Sequence, residues 1–185
     1  MYIAFIEIQN FRKLKSVRVD FHQEKTLFVG PNNSGKTSAM LCLGHFLVDP
    51  GRFDTNDFTL SNWSQIDSVG ENWAQHDLSA GLLVPDIRDL ESVLPTLDVW
   101  FNIDPNEIHY VSHLLPTLEW AGGLLGVRLR FEPHDLNKLV QQYVLAFGAA
   151  KQVKQSVAVS EGEACVQGWL SAIPRAEVNS IGRST

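Results

Sequence analysis

Cysteine is scarce in this chain. Cys42 and Cys165 are the only two in 185 residues, and no CxxC spacing is present. That excludes a disulfide framework and a cysteine zinc site, so both read as packing residues. Long apolar runs are missing too: nothing approaches the ~20 consecutive apolar residues of a membrane span. The opening MYIAFIEIQNFRKLK brings in charge too early for a signal-peptide core. The expected location is therefore cytoplasmic, with no membrane partner. Positive charge is also in deficit. Fifteen Lys and Arg against 21 Asp and Glu leave a net charge of −6, which argues against nucleic-acid binding through overall charge and confines any such contact to a local patch. Repeats, linkers and low-complexity blocks are absent. What remains, 44% hydrophobic and 19% charged residues, is the composition of a globular domain or of a compact lobe of something larger.

Periodicity predicts strands at Tyr2–Gln9 and Ser16–Phe21, joined by a short Asn10–Lys15 turn; in the second, Val17, Val19 and Phe21 alternate with Arg18 and Asp20. Thr26–Val29 is a short continuous apolar run ending in Gly30, the pattern of a central strand buried on both faces. A helix is expected from Lys36, with Met40, Leu43 and Leu47 at spacings of three and four, stopping at Asp49-Pro50-Gly51. The stretch 52–95 reads as irregular apart from a short helix, Ile87–Leu94. Beyond it, Thr96–Ile103 and Leu124–Phe131 are strands that could pair antiparallel around a helix at Asn106–Leu115. Asp135 caps a long helix reaching about Lys151, whose stripe is Leu136, Leu139, Val140, Tyr143, Val144 and Phe147. The tail after Ser156 is weakly patterned, and Asn179–Thr185 is polar enough to fray.

The chemistry is concentrated at Gly30-Pro31-Asn32-Asn33-Ser34-Gly35-Lys36-Thr37, which satisfies G-x-x-x-x-G-K-[ST] between an apolar run and an amphipathic helix. There, backbone N–H groups and the positive helix end converge on phosphate oxygens. Gly30 and Gly35 permit the tight turn, and Lys36 sets a compact charge on the β- and γ-phosphates. The Thr37 hydroxyl completes an Mg²⁺ shell of water and phosphate oxygens, and Ser38 is a further phosphate donor. ATP and Mg²⁺ are the implied ligands. A glycine-rich turn with no ligand is the bland alternative.

These residues carry a resemblance. Ile8-Gln9-Asn10-Phe11-Arg12-Lys13-Leu14, then Val17-Arg18-Val19-Asp20-Phe21, then Phe28-Val29 through Ser38 resemble the N-terminal lobe of ABC-type ATPase heads of the RecF/SMC/Rad50 group. Within that group they are most similar to the ATPases of OLD-family (overcoming lysogenisation defect) nucleases. The first ~48 residues hold most of the resemblance, whereas Leu97–Phe101 and His109–Pro133 match more loosely. It implies that Arg12, the basic residue after Asn-Phe, reaches the nucleotide phosphates; a solvated basic turn made of Arg12, Lys13, Lys15 and Arg18 is the alternative. It also implies a partner, either a second ATPase head in a homodimer or a missing C-terminal lobe, with DNA engaged only through the larger assembly.

Two expected segments of a complete head are not found: a Ser-Gly-Gly signature and an apolar strand ending Asp-Glu. Asp77–Gly81 lacks the second Gly, and Val99–Asp104 is followed by Pro105, with Glu107 the next acid. No catalytic residue is therefore assigned, and nuclease chemistry is not expected in this chain. His109 and His113 have metal-sharing spacing but no convincing third ligand. Asp86, Asp89 and Glu91 read as a solvated face. The tryptophans, with no interleaved Lys or Arg, read as core rather than base-stacking residues, and Gln65 and Gln75 leave the Mg²⁺-approaching Gln of such heads unplaced.

The expected fold is α/β, a P-loop NTPase lobe with a mixed or antiparallel sheet layer around the P-loop strand and helix. Residues 1–160 would form the ATPase lobe, with an irregular insertion at about 52–95, and 161–185 a tail that begins a missing C-terminal part. The expected function is ATP–Mg²⁺ binding by an OLD/RecF-like protein of DNA repair or anti-phage defence, incomplete for efficient hydrolysis alone. A non-hydrolysing nucleotide sensor is the alternative. A P-loop kinase ranks last, because Arg88, Arg128 and Arg130 form no recognisable lid.

Overall fold

The computed structural model describes residues 1–75, 86–115, 117, 119–156 and 176–181. It is an α/β arrangement in which helices cover one face of an antiparallel sheet. Strands β1 (Tyr2–Phe11), β2 (Leu14–Asp20), β3 (Thr96–Ile103), β4 (Gly123–Phe131) and β5 (Ala176–Ile181) lie in the order β2-β1-β3-β4-β5. Every neighbouring pair is antiparallel. Period-two alternation sends Ile6 and Ile8 of β1, Leu97 and Val99 of β3, and Val127, Leu129 and Phe131 of β4 to the helical face, where all are buried. The opposite face carries Phe5 stacked on Trp100 at 5.4 Å, the Arg18 guanidinium 3.6 Å above the Phe5 ring, and a two-point ion pair from Arg128 to the buried Asp98 at 2.7 and 2.6 Å. That pair raises the Arg128 pKa above its usual value, the hydrogen bond to Asp98 being the main cause.

Helices α1 (Lys36–Leu47), α2 (Trp63–Gln75), α3 (Arg88–Glu91) and α4 (Leu136–Ser156) supply the other half of the core through Cys42, Phe46, Ile66, Trp73, Leu90, Leu139, Val140 and Tyr143. Gly70 sets the approach of α2 to α4: a Cβ there would lie 2.3 Å from the Tyr143 ring. Asp135 caps α4 as expected, its carboxylate accepting from the Lys138 N–H at 3.0 Å.

The structure departs from the sequence reading in several places. Thr26–Val29 is not a strand, and Leu27 and Val29 are 72% and 89% exposed. The sheet is therefore not built around a P-loop strand: its strands are all antiparallel, and none of them pairs with this run. Asn106–Leu115 is two 3₁₀ turns, Pro105–Tyr110 and Ser112–Leu114, because Pro105 opens a tight turn capped by Asp104, whose carboxylate accepts from the Asn106 N–H at 3.0 Å. Ile87–Leu94 shortens to the single turn α3. The region 52–95 contains α2, whose buried Ile66, Gly70 and Trp73 are spaced four and three apart among polar residues. Within the tail, Ala176–Ile181 pairs with β4. Asp77–Gly81 and Trp169 lie outside the described residues. Among the described residues no helix is long and apolar enough to cross a membrane.

Candidate functional site

The 30–37 loop enters α1 through Gly35, whose left-handed φ of 93° forms the N-cap. The backbone conformation at Gly35 calls for glycine, and a Cβ there would come 2.9 Å from Leu14 Cδ2, so that side-chain end of the β1–β2 hairpin would have to shift. Asn33 is also left-handed, at φ 67°, a conformation asparagine tolerates better than most residues. The first turn of α1 has no acidic residue, so its free N–H groups and positive dipole end are uncompensated. Lys36 folds over the loop. Its Nζ donates to the carbonyls of Gly30 (2.7 Å) and Pro31 (2.6 Å) and to the Ser34 hydroxyl (3.1 Å).

The loop from Asn32 onward borders a cavity of about 880 Å³. Asn32 to Ser38, with Lys36 and Thr37, form one side, and Arg12, Lys13 and Lys15 of the hairpin form a second. The segment from Thr55 to Trp63 closes the third. Four cations and no carboxylate are among the described residues lining it, so a chain of net charge −6 concentrates positive charge here. Lys13 Nζ crosses to Asn33 Oδ1 at 2.5 Å and ties the hairpin to the loop. Trp63, expected as core, packs partly against the core and also borders the cavity. Trp73 and Trp100 are buried.

The motif residues Asn10, Phe11 and Arg12 each grip a different neighbour. Asn10, at φ 56°, donates through Nδ2 to the carbonyls of Ser92 (2.9 Å) and Leu94 (3.2 Å) and accepts from Asn62 Nδ2 (2.9 Å). Phe11 is fully buried and bridges to Phe58. Arg12, at φ 51°, donates its backbone N–H to the Asp57 carbonyl (2.8 Å) and its Nε to Asp57 Oδ1 (2.8 Å). Asp57 itself is fully buried. It escaped the sequence reading; the only signal was the turn-forming Asp54-Thr55-Asn56-Asp57, which marks a turn but not its partner. His45 of α1 brings Nδ1 to 3.5 Å from Asp57 Oδ2. Burial, reinforced by the Asp57 charge, pushes the Cys42 thiol up to about 12, so Cys42 is an inert packing group.

Residues set aside on sequence grounds fall elsewhere. Asp104 and Glu107 line a separate polar cavity with Met1 and Tyr2, and Glu107 pairs with the N-terminal amine. His109 and His113 stand on successive 3₁₀ turns. Asp86 accepts from the Arg88 N–H, Glu91 pairs with Arg130, and Gln65 reaches Ser92 Oγ.

A family profile described as AAA ATPase domain matches residues 1–119. Similar sequences include the DNA replication and repair protein RecF of Lactococcus lactis subsp. lactis, 31% identical over 65 residues, or 35% of this chain and 18% of the relative. That of Clostridium kluyveri is 29% identical over 68 residues, 37% and 19% respectively. That of Oenococcus oeni is 31% identical over 64 residues, 35% and 17%. The matched stretch thus spans less than a fifth of these curated relatives.

Proposed function

The chain belongs to the AAA ATPase domain family, and from that premise we propose that it is the nucleotide-binding lobe of a RecF- or OLD-like P-loop ATPase, with residues 1–160 as the lobe and ATP–Mg²⁺ held in the cavity above α1. The observation that carries this reading is the convergence of Lys36, Thr37 and Arg12, from two separate elements, on one cavity lined by cations. The residues fit the ligand. Backbone N–H groups of Asn32 to Ser38, at the α1 N-terminus, would cradle the phosphates. Lys36 would exchange its carbonyl partners for phosphate oxygens, and Arg12 would add a second cation. Thr37 offers one hydroxyl oxygen, which suits Mg²⁺, an ion that keeps most of its shell as water and phosphate oxygen. The bound metal would neutralise charge on the phosphate chain.

Binding comes before turnover in this proposal. Hydrolysis needs a group that orients the attacking water, and the acids weighed for that role, Asp104 and Glu107, line another cavity. Those elements are assigned to a second head or a C-terminal lobe. Leu27 and Val29 support the assignment: both are apolar yet lie exposed, as expected of a surface that another lobe or head covers. A role in DNA repair or anti-phage defence rests on the RecF similarity and the OLD resemblance, with DNA contacted by the assembly.

Calorimetric titration with ATP–Mg²⁺ tests the reading. Binding is expected for the wild-type chain, and Lys36→Ala should abolish it while Thr37→Ala removes its Mg²⁺ dependence. Unchanged affinity in Lys36→Ala overturns it.

A further inference from the structure

Asp57 is fully buried, yet it stands one side chain away from the cavity. A carboxylate taken wholly out of water is costly unless its oxygens are satisfied, and here every acceptor has a use. Oδ1 takes the Arg12 Nε–H at 2.8 Å, Oδ2 takes the Asp54 backbone N–H at 2.9 Å, and the Asp57 carbonyl takes the Arg12 backbone N–H at 2.8 Å. Arg12 is therefore held by one residue at both its main chain and its side chain. His45 faces the same carboxylate from α1, the helix that begins with Lys36 and Thr37. The Arg12 side chain remains one-third exposed, and Arg12 lines the cavity. With Nε committed to Asp57, its terminal amino groups make no hydrogen bond to a described residue.

We infer that Asp57 is a positioning residue: it holds Arg12 by Nε so that the two terminal amino groups face the phosphate chain of a nucleotide in the cavity. The inference rests on the nucleotide reading above and adds to it a residue outside the phosphate-binding motif. Arginine presents donors in a rigid planar fork, and anchoring one edge fixes the direction of the other. Side-chain freedom lost before binding is not lost again on binding, so the anchored Arg12 gains affinity through preorganisation. Charge alone would not call for Asp57, since its anion offsets part of the cation it holds. Its contribution is direction.

A double-mutant cycle separates positioning from folding. ATP–Mg²⁺ affinity is measured by calorimetry for the 185-residue chain, Lys36→Ala, Arg12→Ala, Asp57→Asn and the Arg12→Ala/Asp57→Asn pair, with circular dichroism on each. Asp57→Asn should weaken binding on the order of tenfold, about as much as Arg12→Ala, and the pair should be no weaker than Arg12→Ala alone. Wild-type affinity in Arg12→Ala or Asp57→Asn, or an equal loss from Asp57→Asn in both backgrounds, overturns the positioning role while the nucleotide reading stands on the Lys36→Ala loss. Wild-type affinity in Lys36→Ala removes both. If Asp57→Asn does not fold, Arg12→Lys decides: it keeps the charge without the Nε anchor and should lose about as much affinity as Arg12→Ala, whereas wild-type affinity overturns the inference.

Discussion

On one side of the cavity the 10–13 turn is fastened to distant neighbours, whereas on the other the 30–37 loop is fastened chiefly to itself. Asn10 reaches Ser92, Leu94 and Asn62, Phe11 is buried against the Phe58 segment, and Arg12 binds Asp57 twice. The loop uses its own Lys36 to gather the carbonyls of Gly30 and Pro31, and among the described residues its outside polar tie is Lys13 to Asn33. The difference follows from what each must do. A wall that orients an arginine gains from long-range anchors, because each removes freedom that binding would otherwise cost. A loop that receives phosphate must keep its N–H groups uncommitted, so its shape comes from glycine and from one lysine whose present acceptors can be exchanged.

Phe11→Ala should break the anchored side with the largest effect. It removes a fully buried ring that also meets His45 and Phe53 edge-on, and the loss of stability should be about 3–5 kcal/mol, read as a fall in thermal or urea midpoint. Gly35→Ala tests the joint between the two sides. A Cβ there meets both a φ of 93° and Leu14 Cδ2 at 2.9 Å, so a loss of about 1–3 kcal/mol is expected in the same melt, together with weaker ATP–Mg²⁺ binding. Lys36→Ala should move stability least, within about 0.5 kcal/mol, because its partners are exposed carbonyls that water can serve. A Lys36→Ala loss rivalling that of Phe11→Ala would show that the loop is a folding element and would dissolve the contrast.

The hairpin, the β3–β4 pair and α4 were legible because their signals are local: alternation, a cap and a 3.6-residue stripe. Helix α2 was not. Its buried positions Ile66, Gly70 and Trp73 are embedded in Ser, Gln, Asp and Asn, and one of the three is a glycine whose place depends on Tyr143 of α4. Thr26–Val29 misled for a related reason. Its apolar residues describe what would suit a buried strand, but strand formation needs a hydrogen-bonding neighbour, and no described strand pairs with it.

The sequence by itself determined the phosphate-loop motif and the strand pattern that turns one sheet face inward, since each depends on residues adjacent or at fixed short spacing, whereas Arg12 stood out only through the resemblance of Asn10-Phe11-Arg12 to ABC-type heads. Only the tertiary structure decided what Arg12 does with its Nε. Asp57 lies 45 residues away in a turn whose composition marks a bend and nothing more. A contact of that separation exists only once Phe11, Phe58 and Phe131 have closed the core beneath it, because the energy that brings the two segments together comes from apolar burial and not from the ion pair it leaves in place.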